Sequence, residues 1–163
     1  MQLLESTDLE WRADWPEAFA ALQAVRELLK LADEERGGRV PLDPGLPALH
    51  SYLRMKIGEH PHEVLLALLA DEHGGYFGEL TLASGGTDCI RIDPERVVKE
   101  IGRRRAAGFL LAHNHPSGEC RPSRDDRRST AVLRELANKN GIALIDHLVV
   151  TPHAVCAIRG EAS

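Results

Sequence analysis

An α/β fold, with a mixed sheet covered by helices and a helical extension on its N-terminal side, follows from three features of this sequence. Two apolar runs, 64–70 and 108–112, are long enough for strands and lack the polar alternation of a half-exposed sheet, so both read as strands buried on both faces. Helix-like stretches with polar faces alternate with these runs. Turn-forming Gly, Pro and Asp residues punctuate nearly every junction. The resulting order of two strands, helix, strand, helix and two closing strands suits a mixed sheet with helices packed on it.

Each element has its own signal. Residues 16–35 carry Phe19, Leu22, Leu28 and Leu29 at helical spacing, and Gly37-Gly38 ends the pattern. The Pro-rich stretch 39–47 reads as a linker, followed by a short helix over 47–57 that stops at Gly58. Strands at 64–70 and 76–83 are joined as a hairpin through 71–75. Asp93-Pro94 opens a helix to Arg105, which leads into the strand at Gly108. Ser123 is a good N-cap for a helix carrying Ala131, Val132, Leu133 and Leu136, and 142–150 is again strand-like. The division expected is an N-terminal helical segment and linker over 1–57 and the main domain over 58–163.

The most informative stretch is 113–126, His-Asn-His-Pro-Ser-Gly-Glu-Cys-Arg-Pro-Ser-Arg-Asp-Asp. Strand alternation sends His113 and His115 to one face, and Pro116 ends regular pairing at once. Asp126 falls in the first turn of the following helix, where the helix dipole favours a carboxylate. Two imidazoles and a carboxylate can hold zinc from three sides and leave a fourth position for water, as in catalytic sites. Ser123-x-x-Asp126 also fits a capping box, a local device for starting a helix. That alternative explains Ser123 and Asp126 but leaves the two histidines unexplained. Glu63, at the mouth of the first buried strand, is either an exposed strand-end charge or a positioned catalytic group. His147 is either a satisfied core histidine or a group that orients a metal ligand.

The pattern His113-x-His115, seven residues, Ser123, two residues, Asp126 resembles the JAMM signature of the JAB/MPN metallopeptidases. The wording His113-Asn114-His115-Pro116-Ser117-Gly118, then Pro122-Ser123 and Asp146-His147, is similar to the bacterial RadC branch. The resemblance covers roughly 63–150. It implies the JAB/MPN fold, a three-layer arrangement like that of cytidine deaminases. It further implies zinc ligation by His113, His115 and Asp126, an oxyanion-stabilising role for Ser123, and Glu63 as general acid/base. The activity implied is hydrolysis of an amide or isopeptide bond in a peptide or protein substrate. The alternative is a non-enzymatic adaptor that keeps the fold and contacts DNA or a protein partner through a basic face.

Three departures from the branch stand out. Residues 1–57 show no counterpart of its DNA-binding helix-hairpin-helix, so the association with DNA repair rests on the family alone. Cys120 stands where the loop commonly has proline, close enough to the zinc site to act as a soft ligand. The closing segment Val155-Cys156-Ala157-Ile158 replaces the usual Ser-Phe ending.

Composition sets the remaining bounds. A chain of 163 residues, 43% hydrophobic, can bury one good core and hardly two. No apolar run reaches membrane-spanning length, and the start lacks a basic signal-peptide region. Cys89, Cys120 and Cys156 match neither a disulfide framework nor a zinc knuckle, so a reducing cytoplasm is expected. Residues 1–90 hold 16 acidic and 7 basic side chains, whereas 91–128 hold 10 basic and 6 acidic. The basic block includes Arg103–Arg105 and Arg121, Arg124, Arg127 and Arg128. Against a net charge of −5 it predicts only weak, non-specific nucleic-acid binding.

Overall fold

The structure is a computed structural model that describes residues 40–84 and 93–158. The helix expected over 16–35 lies outside the described residues. In chain order the elements are α1 (Pro47–Leu53), β1 (Val64–Ala70), β2 (Tyr76–Ser84), α2 (Pro94–Arg103), β3 (Gly108–Asn114), α3 (Arg124–Lys139), β4 (Ala143–Val150) and β5 (Val155–Ala157). A π-helical turn, Arg54–Gly58, continues α1. The expected mixed sheet covered by helices is the observed architecture.

The described strands form one sheet in the order β2-β1-β3-β4-β5. β1 runs antiparallel to both β2 and β3, while β3 and β4 are parallel and β5 returns antiparallel to β4. The parallel step needs a crossover, and α3 supplies it. β1 and β3 occupy central positions and every residue of both is buried, as their unbroken apolar runs require.

Alternation along the strands divides the core between two faces. Leu65, Ala67 and Leu69 of β1 and Phe109 and Leu111 of β3 pack with Val97, Val98 and Ile101 of α2 and Leu133 and Ala137 of α3. Val64, Leu66, Leu68, Leu110 and Ala112 point the other way, onto Leu49, Leu53 and Ile57. Helices on both sides give three layers. Each fully buried leucine contributes about 1.5–3 kcal/mol relative to an exposed one, so β1 alone anchors both faces.

The stretch expected as a linker is docked rather than free. Leu42 is buried with the α1 face of the sheet, its amide donates to the Gly74 carbonyl, and Pro41 forms a bridge with Gly75. An apolar side chain within reach of a buried face explains the docking better than the Pro content explains a spacer. The helix expected to reach Arg105 ends at Arg103, and Arg105 itself takes a left-handed φ of 57°. Such a φ cannot continue a right-handed helix and is uncommon for a residue with a Cβ.

Candidate metal centre

β3 carries His113 to the α2/α3 face, because it alternates with Phe109 and Leu111. The antiparallel register pairs Leu65 with His113. Carried on by two residues, that register sets Glu63, just before β1, opposite His115. β3 ends at Asn114, yet the His115 amide still donates to the Val150 carbonyl at 3.0 Å, so the second histidine keeps strand direction. Beyond it the chain reverses through Pro116, Ser117 and Gly118. The Gly118 amide returns to the His115 carbonyl, and its φ of 78° is one that glycine adopts without strain.

This reversal swings the Glu119 carbonyl onto the His115 ring, 2.8 Å from Nδ1. A carbonyl only accepts, so Nδ1 carries the proton and Nε2 of the neutral ring is a bare lone pair. That lone pair lies 3.0 Å from His113 Nε2 and 3.6 Å from Asp126 Oδ2. His113 Nε2 is 3.3 Å from Asp126 Oδ1. Zinc ligands about 2.0–2.1 Å from the ion lie roughly 3.3 Å apart in a tetrahedron, so these separations bracket the spacing that a zinc ion requires. Among the described residues, His113, His115 and Asp126 form the group whose ligand atoms all lie within 4.8 Å of one another.

Asp126 reaches this point from the first turn of α3. Ser123 caps the helix by accepting from the Asp126 amide at 3.0 Å, and the Ser123 amide and hydroxyl donate to Asp126 Oδ2 at 2.7 and 2.6 Å. The capping box and the ligand cluster are therefore one construction: the cap holds Oδ2 and leaves Oδ1 facing His113. Burial would raise the Asp126 pKa, but the neighbouring His113 and His115 rings and the Ser123 hydroxyl outweigh it and hold the carboxyl far below its usual range. The His115 pKa is raised, chiefly by the Asp126 carboxylate that its Nε2 faces, with burial opposing. Both directions have one cause: electron pairs are crowded at a point that favours a cation.

Glu63 is half-buried and its charge acts on His115, also raising that ring's pKa. The sequence offered nothing on what holds Glu63 there. Asn114, wholly buried, accepts from the Val64 amide at 2.7 Å and donates to the His60 and His62 carbonyls at 3.0 and 3.1 Å. It thus clamps the segment on both sides of Glu63 to β3. Thr130 was also missed. Its hydroxyl donates to the Asp126 carbonyl at 2.6 Å and lies 2.6 Å from Nδ1 of His147, which is fully buried beside His113.

The cysteine reading needs correction. Cys120 and Cys156 are bonded to each other, with Cα atoms 5.9 Å apart, so Cys120 takes no place in the ligand cluster. The two positions that depart from the family pattern meet because the loop after His115 passes along the edge strand β5. Spacing along the chain could not reveal this, because the partners are 36 residues apart.

The sequence model of the RadC-like JAB domain matches residues 46–162. A UPF0758 protein of Aromatoleum aromaticum is 37% identical over 136 residues, covering 83% of this chain and 60% of that protein. UPF0758 proteins of Burkholderia mallei and Burkholderia vietnamiensis are 38% identical over 135 and 133 residues, covering 49% and 51% of their lengths. The chain therefore spans about half to three-fifths of the relatives it matches. With the domain match extending over most of the chain and the ligand cluster assembled as the motif requires, this chain belongs to the RadC-like JAB domain family.

Proposed function

We propose that this chain is a zinc-dependent hydrolase that cleaves an amide or isopeptide bond in a peptide or protein substrate. The convergence of His113, His115 and Asp126 on one point, with Glu63 on the same sheet face, carries this reading. Bound zinc would supply a Lewis acid that polarises the carbonyl and brings the pKa of a coordinated water toward about 7. Glu63 accepts the proton of the attacking water and returns it to the leaving amine. Ser123 donates to the developing oxyanion. Its hydroxyl is engaged with Asp126 Oδ2, so this step exchanges one acceptor for another. Asn114 keeps Glu63 in register throughout. No described helix is long and apolar enough to cross a membrane.

Two measurements test the reading. Zinc content after purification should be about one ion per chain in the wild type and sharply lower in His115→Ala and Asp126→Ala, because affinity depends on ligand number and charge. Equal zinc in all three proteins removes the ligand assignment. Glu63→Gln should keep its zinc and lose hydrolysis of a substrate found by screening peptide and isopeptide libraries. A loss of about 10²- to 10⁴-fold is expected from removing a general acid/base. Full activity in zinc-loaded Glu63→Gln would exclude Glu63 and turn attention to Glu119.

A further inference from the structure

We propose that Thr130 and His147 form a positioning relay that fixes the tautomer of His113 and leaves its Nε2 bare toward Asp126 and His115. The argument is a count of protons along one chain of contacts. Thr130 has one hydroxyl hydrogen, and it is given to the Asp126 backbone carbonyl at 2.6 Å. Toward His147 Nδ1, also 2.6 Å away, the Thr130 oxygen can then only accept, so that nitrogen carries a proton. His147 is 0% exposed and its ring lies against that of His113. A neutral imidazole has a single N–H, so with Nδ1 protonated the His147 Nε2 is a lone pair. His113 Nδ1 lies 2.9 Å from that lone pair and must donate to it. The remaining His113 nitrogen, Nε2, is left without a proton and faces the Asp126 carboxylate.

The chain closes on itself. It starts at the backbone carbonyl of Asp126 and ends at the side chain of Asp126, after passing through α3, β4 and β3. His113 thus gets from buried side chains what His115 gets from the Glu119 carbonyl. A carbonyl can hold only one tautomer. A histidine in the same place can hold either, and Thr130 decides which. Neither residue touches the point where the three ligand atoms converge, so both act through His113 rather than as catalytic residues.

The benefit to zinc binding rests on the function proposed above, but the tautomer itself does not. The test therefore uses the full-length chain, stripped of metal with a chelator and labelled with ¹⁵N in its histidines. Long-range proton–nitrogen NMR at mildly alkaline pH reads each ring directly. His113 should show a protonated Nδ1 and a bare Nε2, and His147 the same pattern. Thr130→Val keeps the shape but removes the acceptor. It should mix the His113 tautomers and weaken zinc affinity by about 10- to 100-fold, the usual effect of losing a group that orients a ligand. Thr130→Ser should restore both. A His113 ring protonated at Nε2 in the wild type, or wild-type tautomers and zinc affinity in Thr130→Val, overturns the relay. Correct tautomers in a protein that takes up no zinc would instead overturn the zinc reading and leave the relay standing.

Discussion

Asn114 sits between His113 and His115 but points to the opposite face of the sheet, where it satisfies one amide and two carbonyls. Its amide orientation is therefore fixed by its partners. Asn114→Asp would turn two donors into acceptors facing carbonyls and bury a charge without a counter-ion, a change that costs about 3–5 kcal/mol. Urea titration should show that loss as a lower midpoint with an unchanged slope. Asn114→Leu should cost less, about 1–3 kcal/mol, because it leaves the buried Val64 amide unsatisfied and frees the carbonyls of the exposed His60 and His62 to turn to water, but adds no charge. Residues of this kind explain what was and was not legible in the sequence. His113, His115, Ser123 and Asp126 lie close together in the chain, and their chemistry is specific to metals and helix starts. Asn114 and Thr130 are ordinary polar residues whose meaning comes from partners 50 and 17 positions away. Nothing local marks them.

Among the elements, the buried strands and the capped helix α3 were readable because their signals are periodic or positional. Pairing was not. The sequence contains no direct statement that β1 lies between β2 and β3, or that β3 and β4 run parallel, since long-range pairing depends on the packed core. The tie between α1 and the edge strand β2 was hidden for the same reason. Glu79 of β2 accepts from the Tyr52 hydroxyl and, at 2.7 Å, from Lys56 Nζ on the π-helical turn. Burial would raise the Glu79 pKa, but these two hydrogen bonds outweigh it and set it below its ordinary 4.5. The Tyr52 hydroxyl is pushed well above its usual range by burial and by Glu79. Because the folded-state pKa of Glu79 is depressed, its contribution is fully present above pH 4.5 and is lost as pH falls through the lower folded value. Hydrogen exchange in α1 should therefore quicken as pH drops below that range, after correction for intrinsic rates. Glu79→Gln should remove most of this acid dependence; an unchanged dependence would show that the tie contributes nothing.

For the molecule as a whole, charge is the property that most constrains partners. Arg121, Arg124 and Arg128 are exposed along the loop after His115 and the start of α3, next to the ligand cluster. The full chain nonetheless carries a net charge of −5. A local basic patch on an acidic protein gives phosphate contacts that are few and easily screened. We propose that duplex DNA binds weakly, without sequence preference, and is released as salt approaches physiological strength. Fluorescence anisotropy with two unrelated duplexes at low and physiological salt measures this directly. Tight binding that survives the higher salt would favour the adaptor reading over the hydrolase.

The bond between Cys120 and Cys156 changes what kind of object the chain is. It closes a covalent ring that contains α3, β4 and the first two residues of β5, and with them Asp126, Thr130 and His147, while Glu63, His113 and His115 approach from outside. A zinc ion held by His115 and Asp126 would be a second closure, overlapping the first, so that the same segment is fastened once permanently and once reversibly. Closing a loop with a sequence separation of 36 restricts the unfolded chain by about 4 kcal/mol on the chain-entropy estimate. Reduction should lower the urea midpoint accordingly, with the metal-free protein losing more of its remaining stability than the loaded one. The ring also has a consequence for damage. A single protease cut inside it divides the backbone without separating the pieces, which should migrate together on a gel until a thiol is added.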